Sequence, residues 1–138
     1  MQQKPVLSLH DIDQILAAAR ASASSNGWAV TIAVVDDGGH PLALQRLDGC
    51  APASTYIAVE KARTSALSRR ESKSYEDMVN GGRHALLSAP LAGMLEGGVP
   101  IRVEGHVVGA VGVSGVKSEQ DAQVAQAGAD VVGSRPTA

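Results

Sequence analysis

The residues best suited to chemistry fall in two short runs: Arg46 and Asp48 within QRLDG, and Lys61, Arg63 and Thr64 within EKARTSA. Guanidinium and ammonium groups make charge-assisted hydrogen bonds to carboxylates, and an aspartate beside them can serve as a base. The carboxylates they meet could belong to a small organic acid, to the propionates of a porphyrin, or to the protein's own Asp and Glu in an internal or intersubunit salt bridge. Truncating Arg46 and Lys61 separately divides these readings: a structural pair lowers stability, whereas a ligand contact spares the fold and weakens binding.

The four histidines, His10, His40, His84 and His106, are scattered, with no two spaced three or four residues apart, so a helix-borne zinc site is not expected. A porphyrin iron, in contrast, needs only one imidazole from the protein. His10 falls in a first helical turn, where its ring can project into a groove, and His106 adjoins a tight turn. Each is also readable as an ordinary surface or core histidine. No serine lies in a Gly-x-Ser-x-Gly elbow, since Gly112-Val113-Ser114-Gly115 matches only part of it. The pairs Gly81-Gly82 and Gly97-Gly98 lack the following Lys-Ser/Thr of a phosphate loop. No catalytic residue is assigned. The single Cys50 excludes an internal disulfide and a cysteine-built metal cluster within one chain, and suits a reducing compartment.

These side chains must be positioned by elements that the pattern announces. Ser8 with Asp11 predicts a helix N-terminus, after which Leu9, Ile12, Leu16 and Ala19 recur at helical spacing until Asn26-Gly27. Trp28 to Val35 and His40 to Leu47 read as strands around the turn Asp36-Asp37-Gly38-Gly39, with Pro41 tolerated only at a strand start or edge. Alternation places Leu42, Leu44, Arg46 and Asp48 on one face. A helix is predicted from Pro52 to Arg70, with Ala58, Ala62 and Ala66 as a thin side able to press on a sheet, and Ile57, Lys61, Thr64 and Ser68 as the adjacent stripe. Ser74 with Asp77 predicts a cap for a short helix, Tyr75 to Asn80, stopped by Gly81-Gly82, and a helical turn is expected around Ala85 to Leu87.

Glu104-Gly105 between two β-branched runs, Val99 to Val103 and Val107 to Val113, predicts a hairpin forming the central pair of the sheet. Unbroken alternation puts Val99, Ile101 and Val103 with His106, Val108 and Ala110, and Arg102 with Val107, Gly109, Val111 and Val113. Gly109, Gly112 and Gly115 allow close approach to the backbone. A last helix begins at Ser118 and Asp121, packs through Ala122, Ala125, Ala129 and Val132, and ends at Gly133, leaving 134–138 as a frayed tail.

The order helix, hairpin, helices, hairpin, helix predicts a single α+β domain, 1–138, with one antiparallel sheet carrying helices. The chain has 138 residues, no Phe, one Trp and two Tyr, so its core must be built from Ala, Val, Leu and Ile. A net charge of −2 with interspersed signs offers no basic field for a nucleic acid. No apolar run reaches the length of a membrane span, and the N-terminal residues lead into a cap signal without a signal-peptide core, so a soluble cytoplasmic protein is expected.

Seven segments together resemble a known family: VTIAVVDDGGH (30–40), QRLDG (45–49), EKARTSA (60–66), DMVNGGR (77–83), EGGVPI (96–101), GAVGVSG (109–115) and EQDA (119–122). They look like the GlcG/HbpS-type heme-binding family, to which the C-terminal domain of PduO-type proteins is also similar. The resemblance implies a profilin-like or PAS-like sandwich with a sheet of about five strands, assembled into homo-oligomers that are often octameric. It implies heme as cofactor for some members and a place among catabolic enzymes for others. Pocket positions carried over are Arg46, Asp48, Lys61 and Thr64 with the Gly97-Gly98-Val99-Pro100 turn, and His10 is the nearest match to an N-terminal-helix iron ligand, with His106 second. Three functions follow: a heme or tetrapyrrole-binding protein, an accessory enzyme or binder for a small carboxylate anchored by Lys61 and Arg46, and a non-catalytic assembly module.

Overall fold

The computed structural model describes residues 1–133, so the tail predicted at 134–138 lies outside the described residues. Helix α1 (Leu9–Ser25) begins with a complete capping box: the Ser8 hydroxyl accepts from the Asp11 amide, and the Asp11 carboxylate accepts from the Ser8 amide. Strands β1 (Thr31–Asp36) and β2 (Pro41–Arg46) form the first hairpin, followed by α2 (Ala53–Ser68), α3 (Lys73–Asn80) and a 3₁₀ turn (His84–Ser88). Strands β3 (Gly98–Val103) and β4 (His106–Ser114) make the second hairpin, and α4 (Ser118–Gly133) completes the described chain. This is the α+β sandwich expected, with four strands among the described residues where about five were expected.

The sheet order is β2-β1-β4-β3, all antiparallel. The central pair is therefore β1 with β4, and the second hairpin, expected at the centre, contributes β3 as an edge. That edge is occupied or blunted over its first half. Gly98 exchanges hydrogen bonds with Ser72, its amide donating to Ser72 Oγ at 2.8 Å and its carbonyl accepting from the Ser72 amide at 3.0 Å. Two residues on, Pro100 has no amide to offer. Ser72, not Ser74, is thus the residue at the start of α3, and it serves the sheet instead of capping the helix.

The hairpin turn is built as predicted, Glu104 and Gly105 both taking positive φ (51° and 79°). Beyond it, the pairing shifts by one residue between Ile101 and Arg102, so that Arg102 pairs with Val107 but Ile101 pairs with Gly109. This bulge at Val108 reverses the expected face assignment: Val99 and Ile101 lie with Gly109, Val111 and Val113, not with Ala110. Unbroken alternation could not reveal an inserted residue.

Each face of the sheet is covered differently. Ile32, Val34, Val99, Ile101, Val111 and Val113 meet Ile15, Ala19 and Ala23 of α1 and Val124, Ala125, Ala129 and Val132 of α4. Ile15 is central here and Leu9 is exposed, so the buried stripe of α1 starts one turn later than predicted. On the other face Ala33, Val35 and Ala110 meet Ala58, Ala62 and Ala66 of α2. A Cβ at Gly112 would overlap the Ala58 carbonyl and the Ala62 amide, so α2 rests on β4 backbone to backbone. No helix is long and apolar enough to cross a membrane among the described residues.

Candidate functional site

The α2 stripe was predicted to present Lys61 and Thr64, and the fold turns both inward. Lys61 is 4% exposed, and its Nζ donates to the Val113 carbonyl at 3.0 Å and to Asp121 Oδ2 at 3.1 Å. Asp121 is equally buried, on α4 across the sheet, and its other oxygen accepts from the Val116 amide at 3.1 Å. Burial pushes the Asp121 carboxyl up, against the pull of the Lys61 charge and the Val116 amide. Thr64 Oγ1 accepts from the Gly93 amide at 3.1 Å and is 1% exposed.

Gly97 and Gly98 belong to the same arrangement. A Cβ at Gly97 would lie 2.8 Å from Lys61 Nζ, and one at Gly98 would overlap the Lys61 carbonyl, so the glycine pair makes room for the buried lysine and its helix. Lys61, Gly97 and Gly98 therefore come together as a device joining α2, β4 and α4, while Thr64 fastens the same helix to the loop at Gly93.

The remaining predicted residues lie elsewhere. Arg46 ends β2 on its exposed face and Asp48 sits just beyond, lining an open depression with Trp28 and Arg20; neither makes an ion pair among the described residues. Val99 and Pro100 line a cleft of about 520 Å³ shared with Arg70, Glu71 and Arg102. His10 stands exposed in the first turn of α1, next to exposed Leu9, while His106 is half-buried beside the second hairpin turn. Of the other two, His40 bonds Asp36 through Nδ1 at 3.0 Å and His84 is exposed in the 3₁₀ turn. No group of three metal-ligating side chains occurs among the described residues.

Residues 7–130 match the family described as "Haem degrading protein HbpS-like". The chain belongs to the HbpS-like family. Protein GlcG of Escherichia coli K12 is 57% identical over 114 residues, spanning 83% of this chain and 85% of that one. Among solved structures, ORFY of Klebsiella pneumoniae superposes with a TM-score of 0.89 at 30% identity, covering 99% of this chain and 97% of that one. A double-mutant HbpS of Streptomyces reticuli gives 0.86 at 32% identity over 96% and 90% of the two chains. A PduOC:heme complex gives 0.84 at 27% identity over 93% and 96%.

Several residues of this HbpS-like chain escaped the sequence pattern. Asp121 was read as a cap, and its role as counter-ion to Lys61 spans 60 positions, beyond any local signal. Lys4, Asp37, Arg69 and Arg102 converge with His106 around one depression, although no two of them share a motif.

Proposed function

We propose that this HbpS-like chain binds heme and that His10 is its iron ligand. The observation carrying this reading is the likeness, over nearly the whole chain, to a structure solved as a PduOC:heme complex. The residues present fit the group. Among the described residues His10 has no hydrogen-bond partner, so its ring is available, and Leu9 next to it and Val6 in the segment leading into α1 are 74% and 78% exposed, apolar surface on which a flat macrocycle can rest.

Bound heme would supply a redox-active iron; the chain would supply the imidazole and an apolar wall. One open wall leaves the second face of the macrocycle in water, so a second copy closing over it belongs to the same proposal. The reading with a small carboxylate held by Lys61 and Arg46 is weaker, because Lys61 would have to leave a buried partner.

Titration with hemin, followed by absorbance and by native mass spectrometry, tests this. A saturable Soret change, lost in His10→Ala, retained in His106→Ala and accompanied by a heme-bearing oligomer, is expected. Featureless, substoichiometric uptake unaffected by either substitution would refute it.

A further inference from the structure

The end of the sheet carrying both hairpin turns holds a second candidate site, independent of the heme reading. Lys4, Asp37, Arg69, Arg102, Gly105, His106 and Val107 line a depression of about 330 Å³. Three cations line the depression against one carboxylate: Asp37 pairs with Lys4 Nζ, its Oδ2 lies 3.7 Å from Arg69 Nη2, and Arg102 stands beside them. The chain as a whole is net negative, so this local excess of positive charge runs against the overall balance and draws anions to one spot.

The cations are held in place by the fold. Arg69 closes α2 in the left-handed conformation (φ 61°), where glycine is the usual occupant, and its Nη1 bonds the carbonyls of Ala66 and Asp37. Arg102, on β3, donates from Nη2 to the Arg69 carbonyl at 2.6 Å. These bonds fix both guanidinium groups while leaving Arg102 with further N–H donors and Lys4 with two of its three. Gly105, His106 and Val107 complete the lining. Asp37 shows that a carboxylate suits the cluster, and among the described residues lining the depression three positive charges face one negative charge, which calls for an anion of about two charges.

We infer that this depression binds a small dianion bearing carboxylate or phosphate oxygens, with Lys4 and Arg102 as its direct contacts and Arg69 holding Arg102 in position. Calorimetric titration of the full chain with malonate and, separately, with inorganic phosphate, each at constant ionic strength, tests it. At least one dianion should bind saturably, at least ten-fold more tightly than acetate, and the preferred one reports whether the head group is planar or tetrahedral. Lys4→Ala and Arg102→Gln should each weaken that binding about ten-fold, with the fold checked by circular dichroism. Lys73→Ala, which removes a cation elsewhere, and His10→Ala should leave it unchanged. Binding of both dianions no tighter than acetate, or equal binding by all the variants, would overturn the assignment.

Discussion

Two lysine–aspartate pairs occupy opposite ends of the sheet. The side chains of Lys61 and Asp121 are 5% and 3% exposed at the end where β4 leaves the sheet, whereas those of Lys4 and Asp37 are 50% and 27% exposed at the end where both hairpins turn. The chemistry is the same, and surroundings decide what it does. In the interior both charges are stripped of water and must satisfy one another and the Val113 carbonyl, so the pair is committed to the fold. At the rim, water screens the pair, extra cations crowd one carboxylate, and the charge stays available to something arriving from solution.

The sharpest way to break that contrast is to remove one partner of the inner pair. Lys61→Ala should cost about 3–5 kcal/mol in urea unfolding, because Asp121 is left charged and unmatched in the interior. Lys61→Met with Asp121→Leu should recover most of that loss; a double variant as unstable as the single one would mean that the ion pair itself, not its disruption, governs stability. At the rim, Lys4→Ala should change unfolding by less than about 1 kcal/mol, with the difference fading in high salt.

The smallest effect concerns Asp36, next to the outer pair. Burial pushes its carboxyl up, but bonds from the His40 and Gly38 amides and from the His40 ring outweigh that and hold it below the ordinary aspartate value. The folded chain therefore favours ionised Asp36. Its contribution is complete above the ordinary carboxylate range and is lost as the pH falls through that range toward the lower folded value. Melting temperatures of Asp36→Asn and the parent chain should differ by a few degrees near pH 6 and converge toward pH 2; a constant offset would assign the difference to shape instead of charge.

Much of the fold was legible because its signals are local. A capping box at Ser8 and Asp11, a turn at Glu104-Gly105 and alanines four apart in α2 each declare their structure within a few residues. The register error in the second hairpin arose from a single inserted residue at Val108, which leaves no mark on a pattern apolar on both faces. The candidate site was legible only in part. Of the residues singled out, Lys61, Gly97 and Gly98 do lie together, but nothing local distinguishes a lysine facing a ligand from one facing an aspartate on another helix. The basic depression drew no notice, since Lys4, Arg69 and Arg102 each look like ordinary solvated charges until the fold brings them to one end.

The bare contact between α2 and β4 has a dynamic consequence. Where side chains interdigitate, a helix can shift slightly while rotamers readjust; Gly112 beneath the Ala58 carbonyl offers no rotamers to readjust. Lifting α2 would mean breaking the whole seam at once, so the amides along β4 should exchange with deuterium only when the entire molecule opens, and all with one opening free energy.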